Sequence, residues 1–158
     1  METVEVELDA GQENIVLTAM HRVTEICNKK NLRLTITRKR VLELILQAQQ
    51  PIGAYSLLDH LVEDGRNAAP TTVYRALDFL LQEGFIHRLS SLNAFIGCPF
   101  PGHTTFSQFF ICNQCSKVEE LQNFEISQAI KDACQNKNFK IKNEIIEIQG
   151  CCKACQNH

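Results

Sequence analysis

Apolar residues recur at three- and four-residue spacing in four stretches of the N-terminal part of the chain, the period of an amphipathic helix. Ile15, Ala19, Val23 and Ile26 with Cys27 form the first stripe, and Asn31 follows as a stop. Cys27 lies on that stripe and reads as a core thiol. Thr37 reads as the N-cap of a second helix, whose apolar positions Val41, Leu44, Ile45 and Ala48 run to a break at Pro51. A third helix buries Leu57, Leu58, Leu61 and Val62 and ends at Gly65, and a fourth opens at Pro70 with Val73, Leu77, Leu80 and Leu81 inward and Gly84 closing it. Residues 85–89 and 94–98 are then short strand-like runs around the turn-prone Ser90-Ser91-Leu92-Asn93.

Three short helices followed by a two-stranded hairpin describe a winged helix, a helix-turn-helix variant whose last helix enters the DNA major groove. The positions of that helix outside its apolar stripe are Thr71, Thr72, Tyr74, Arg75 and Asp78, so these are available to base edges.

Past Cys98 the pattern changes. Pro99-Phe100-Pro101-Gly102 is a hinge composition, followed by predicted strands at 106–111 and 118–121, a helix at 125–135, and strands between Phe139 and Ile148. In that last segment Phe139 and Ile141 fall on one alternation parity and Ile146 and Ile148 on the other, which predicts a bulge or turn near Asn143-Glu144. The fold class expected is α+β: a winged-helix DNA-binding domain over 13–93, a hinge over 94–103, and a small α/β dimerisation and metal-binding domain over 104–158. A small sheet on one helix leaves an apolar face needing cover, for which dimerisation is the natural remedy. Residues 1–12 read as a loose acidic leader.

The 158 residues suffice for one ordinary domain or two small ones. No apolar run approaches the roughly 20 residues of a bilayer span, and no basic region precedes an apolar stretch at the N-terminus. The chain is therefore expected to be soluble and cytoplasmic, without membrane contact. The net charge of −2 does not suggest a nucleic-acid partner. Its distribution does. Between His21 and Val41 stand Arg22, Lys29, Lys30, Arg33, Arg38, Lys39 and Arg40 against the single acid Glu25, a local charge of +6 that leaves −8 elsewhere. Such a run is otherwise a solvated helix face; its place beside a recognition helix favours phosphate contacts by Arg33, Arg38 and Lys39.

Eight cysteines without an export signal argue for metal ligation over disulfides. Cys112-Asn113-Gln114-Cys115 and Cys152-Lys153-Ala154-Cys155 are two CxxC pairs, enough for a tetrahedral four-thiolate zinc site. A thioredoxin-like dithiol is the competing reading, but no strand-and-helix pattern of that fold surrounds either pair. Since 36 residues separate Cys115 from Cys152, the site would staple a strand to the chain's C-terminal part, which is structural work. His87, Cys98, His103 and Glu120 would make a neutral set for a divalent ion, and the thiolate leans toward zinc; spacing alone leaves that set open.

These residues resemble the ferric uptake regulator family, most closely its zinc uptake regulator branch. The likeness runs from about Asn31 to Cys155 and is most specific over residues 70–80, PTTVYRALDFL, followed by Gly84-Phe85-Ile86-His87. Asn31-Leu32-Arg33-Leu34-Thr35 with Arg38 resembles the family's basic entry to its second helix. The resemblance implies that Tyr55 and Arg75 touch DNA bases and that Cys112, Cys115, Cys152 and Cys155 hold a structural zinc. It implies further that His87, Cys98, His103 and Glu120 hold a regulatory one, giving two zinc ions per subunit. The expected function is a zinc-responsive repressor that binds an inverted-repeat operator as a zinc-loaded homodimer, with no small-molecule substrate and no catalysis. An iron- or peroxide-responsive regulator is the alternative within the family; the missing histidine-rich run before the first CxxC, with Cys98 present, favours zinc. A zinc deaminase is the alternative outside it, but no His-x-Glu is present and neither CxxC follows a proline.

Overall fold

The computed structural model describes residues 10–98, 101, 107–142 and 144–156, and the chain divides into two compact units, residues 1–103 and 104–158. The first unit begins with α1 (Ala10–Lys29), and α2 (Ile36–Gln47), α3 (Ala54–Glu63) and α4 (Pro70–Gln82) follow. The hairpin β1 (Ile86–Leu89) and β2 (Ala94–Gly97) closes the unit, antiparallel with Ile86 opposite Gly97. Ile52, between α2 and α3, adds an isolated bridge to Phe95, its N–H and C=O both bonded to that residue.

This is the winged-helix order predicted from periodicity, with local corrections. The buried stripe of α1 is Val16, Met20, Val23 and Cys27; Val23 and Cys27 were expected, whereas Val16 and Met20 take the places of Ala19 and of Ile15, which is 70% exposed. Cys27 is core, as expected. The N-cap of α2 is Thr35, not Thr37: its hydroxyl accepts from the Arg38 N–H (3.3 Å), which satisfies one of the orphan donors of the first turn. Residues 94–97 pair as β2, as the strand-like run at 94–98 predicts, with Ala94 and Phe95 buried, although the hinge was also expected to open there. The connection to the second unit therefore starts no earlier than Cys98.

Two helix ends depend on left-handed glycines. Gly65 (φ 75°) and Gly84 (φ 71°) stop α3 and α4, and the following N–H groups of Arg66 and Phe85 return to the carbonyls of Leu61 and Leu80. Leu42, Leu57, Leu61, Leu77 and Leu80 are completely or almost completely buried and join α2, α3 and α4 in one core.

The second unit is a three-stranded sheet with one long helix. β3 (Ser107–Cys112) pairs antiparallel with β4 (Val118–Leu121) and parallel with β5 (Ile145–Gly150), and α5 (Phe124–Asn136) makes the crossover that parallel pairing needs. Asn123 caps α5, accepting from the Ile126 N–H (3.1 Å). Gln108 reaches from β3 to this helix, donating to Ser127 Oγ (3.1 Å) and the Asn123 carbonyl (3.2 Å). A four-residue turn of helix, α6 (Lys153–Gln156), follows β5.

Among the described residues, one strand occupies the segment where strands were expected between Phe139 and Ile148. β5 begins after the parity change and runs to Gly150, while Phe139 stays outside it, 66% exposed. Asn143 and His103 lie outside the described residues. No helix among the described residues is long and apolar enough to cross a membrane.

Candidate metal centre and nucleic-acid interface

Strand register builds the metal centre. Cys112 ends β3 opposite Gly150, the last residue of β5, so the chain leaves both strands side by side and Cys152 arrives next to Cys112. The Asn113 N–H continues the ladder to the Gly150 carbonyl (2.8 Å), and the Cys152 N–H donates to Cys112 Sγ (3.3 Å). Each CxxC is a tight turn: Ser116, with φ 57°, donates back to the Cys112 carbonyl (3.0 Å), and Cys155 donates to that of Cys152 (2.9 Å).

The sulfur atoms of Cys112, Cys115, Cys152 and Cys155 all lie within 4.8 Å of one another, and those of Cys115 and Cys152 are 3.7 Å apart. Zinc–sulfur bonds of about 2.3 Å at tetrahedral angles put sulfurs roughly 3.8 Å apart, so the four donors fit that ion. Backbone N–H groups of Cys152, Cys115 and Gln114 lower Cys112 to about 6, whereas the neighbouring thiols of Cys152 and Cys115 push Cys155 upward. The directions are opposed because amide donors favour the thiolate of Cys112, whereas Cys155 meets neighbouring sulfurs. Cys151, which spacing set aside in favour of Cys152, sits beside the cluster without joining it.

The second expected ligand set is only partly visible within each unit. His87 on β1 and Cys98 just after β2 share one face of the hairpin at diagonal positions, with the Cys98 N–H bonded to the Phe85 carbonyl (3.0 Å). Burial pushes His87 below the usual imidazole range, which keeps it neutral and able to offer a lone pair. Glu120 belongs to β4, opposite Phe109, where burial raises its carboxyl against a hydrogen bond from Ser107.

On the first unit, α4 buries Val73, Ala76, Leu77 and Leu80 and turns Thr71, Tyr74, Arg75 and Asp78 outward, with Thr72 at the margin. Tyr55, in the first turn of α3, is 71% exposed. Arg33 and Lys39 are exposed. The rest of the basic stretch is less uniform than its sequence suggested. The Arg38 guanidinium lies 3.8 Å over the Phe79 ring and donates to the Arg33 carbonyl (2.6 Å). Lys30 pairs with Glu83 (3.3 Å), and Arg40 grips Asp64 with two hydrogen bonds. Sequence reasoning missed these partners because each lies in a different element, at a separation no periodicity encodes.

The profile of the ferric uptake regulator family matches residues 29–149. The chain belongs to that family. Among its curated relatives, the zinc uptake regulation protein of Escherichia coli is 40% identical over 134 residues, covering 83% of this chain and 77% of the relative. The ferric uptake regulation protein of Legionella pneumophila is 28% identical over 133 residues, covering 79% and 92%. A solved zinc uptake regulator complexed with zinc and DNA superposes with a TM-score of 0.85 at 36% identity, over 90% of this chain and 95% of that one. The two-part α+β architecture is thus the one this family's solved members share.

Proposed function

We propose that this protein is a zinc-responsive transcriptional repressor that binds an inverted-repeat operator as a zinc-loaded homodimer in the cytoplasm and controls zinc uptake genes. The observation that carries the reading is the coincidence, in one chain, of an outward Thr71-Thr72-Tyr74-Arg75 face on α4 with a four-sulfur centre of zinc dimensions. Likeness to zinc uptake regulators at 40% and 36% identity supports zinc over iron or peroxide as the signal. No catalytic step belongs to the reading.

Cys112, Cys115, Cys152 and Cys155 hold the structural zinc. His87, Cys98, His103 and Glu120 hold the regulatory one, and a neutral His87 beside Cys98 supports that assignment. Zinc there sets how two reading heads are spaced, since a two-fold dimer matches two half-sites only at one separation. On DNA, Arg75 and Tyr55 address base edges, Thr71, Thr72 and Tyr74 complete the groove face, and Arg33, Arg38 and Lys39 serve the phosphates. The first turn of α3, capped by Gly53 without a side-chain acceptor, keeps backbone N–H groups for phosphate oxygens; in α4, where Pro70 has no N–H and that of Thr72 returns to the Ala69 carbonyl (2.9 Å), Thr71 offers one. The exposed Phe110, Phe124, Phe139 and Ile148 supply apolar surface for the second subunit.

The test is a gel shift on an inverted-repeat fragment from a zinc transporter promoter, with zinc, iron(II) or chelator. Binding with zinc alone supports the reading; equal binding with iron, or binding that survives chelation of the exchangeable metal, overturns it.

A further inference from the structure

Arg40 was counted among the basic residues around α2, but the structure gives it other work. Its Nε and Nη2 donate to Asp64 Oδ2 (2.6 Å) and Oδ1 (3.0 Å), a two-pronged pair, and Glu43 lies 3.6 Å from Nη1. The two side chains are each 27% exposed, although Asp64 as a whole lies at the surface. Arg66 approaches the same Asp64 oxygen at 3.9 Å.

Asp64 is the C-cap of α3 and opens the connection that delivers α4. Its N–H returns to the His60 carbonyl, Gly65 turns left-handed, and Arg66 closes onto Leu61, so the first half of the connection is fixed. In the second half the Ala68 N–H bonds only two residues back, to the Arg66 carbonyl (2.9 Å), and Ala68 packs partly against the core. Ala69, the N-cap of α4, has no side chain to bond the first turn, and Pro70 and Thr71 lie outside the core that holds Val73 and Leu77. The first turn of α4 therefore takes its placement from the packed turns behind it and from the anchored chain before it.

We propose that Arg40 is a positioning residue for DNA reading: with Asp64 it clamps the middle of α2 to the α3–α4 connection and so sets the first turn of the recognition helix. This rests on the DNA-binding reading above. The bland competitor is that Arg40 is one more phosphate contact in a basic patch. The two differ in sign. If Arg40 served phosphates, removing the Asp64 charge would free it and strengthen binding. If the clamp positions α4, removing that charge weakens operator binding although the surface has become less acidic.

The experiment uses the zinc-loaded full chain and compares Asp64→Asn, Arg40→Lys and the double variant by fluorescence anisotropy, on the operator and on a scrambled duplex over a salt series. Melting temperature and zinc content serve as controls. Asp64→Asn and Arg40→Lys should each lose roughly five- to tenfold in operator affinity, the scale of one charge-assisted two-pronged pair. The double variant should be no worse than either, because both act through one contact. Scrambled-duplex affinity should hold or rise, and the salt slope of Arg40→Lys should be unchanged. Amide exchange at Arg66 and Ala68 should quicken in both single variants. Operator binding by Asp64→Asn as tight as wild type or tighter overturns the clamp, as does unchanged exchange in the connection. Failure of the wild type itself to bind any inverted repeat would instead sink the DNA-binding reading.

Discussion

The two units of this chain solve the same folding problem by different means. In residues 1–103 the apolar stripes of α1 to α4 and the hairpin meet in one core that includes Leu42, Leu57, Leu61, Leu80 and Phe85. The unit of residues 104–158 buries only Phe109, Ile111 and Cys112 among its described apolar residues, while Phe124 is 75% exposed and Phe110 and Ile148 are open as well. A unit of that size rarely stands on apolar burial alone. Its proposed substitute is local: four sulfurs within 4.8 Å of one another, at the end of β3 and after β5, which one metal ion can join. The first unit should thus behave as an ordinary globular domain, and the second as a domain whose order depends on a metal and on a second subunit.

The largest effect should come from breaking the metal side of that contrast. Cys112→Ser would remove a ligand of the proposed site, where a structural zinc would contribute on the order of 10 kcal/mol to folding. Amide exchange should show β3, β5 and α6 unprotected and α2 to α4 unchanged, with sedimentation reporting monomer; a protected dimer would contradict the shared site. Next, Leu61→Ala should cost the first unit about 2–5 kcal/mol, the usual cost of a buried cavity, and leave the zinc of the four-cysteine centre in place. Denaturant unfolding followed alongside metal content checks both halves of that statement.

Arg75→Ala sharpens the comparison by function. Operator affinity should fall by about 1–3 kcal/mol per half-site with zinc content and dimerisation intact, since two-pronged base contacts have that worth. Lys39→Ala should weaken operator and scrambled DNA alike. Thr35→Ala, which deletes the cap of α2, should cost the first unit about 1 kcal/mol. The smallest effect is on pH dependence. Arg40 holds the Asp64 carboxyl below the ordinary aspartate range, so its contribution is complete above that range and is lost as pH falls through the depressed value. Acid unfolding of the first unit should therefore be less steep in Asp64→Asn, with neutral-pH unfolding of the second unit unaffected.

What the sequence made legible follows the same division. Helices α2 to α4 were readable because a buried stripe repeats at the helical period, and the hairpin because the turn-prone Ser90-Ser91-Leu92-Asn93 separates two short runs. The errors there are small: Thr35 and Thr37 are equally good caps by composition, and only the turn geometry selects Thr35. Ile15 misled because two neighbouring apolar stripes, one through Ile15 and one through Val16, are possible in α1, and tertiary packing chooses the second. In the second unit the CxxC pairs identified the centre, since ligand spacing is local. The strand leading to it was harder. Phe139 and Ile141 look like strand residues, yet β5 starts only at Ile145, where β3 offers a partner. Partners far apart in sequence, such as Gln108 with Ser127 or Arg40 with Asp64, left no periodic trace.

The central claim is that zinc switches DNA binding through a site separate from the four-cysteine centre. It is tested most directly by titrating the metal-free chain through a buffered series of free zinc, reading zinc per subunit and operator affinity on the same samples. A first, tight zinc should restore the dimer without operator binding, and a second, exchangeable zinc should bind as the affinity rises. In Cys98→Ser the first should persist and the rise should vanish. Operator affinity that saturates with the first zinc, or that rises in Cys98→Ser as in wild type, would contradict it.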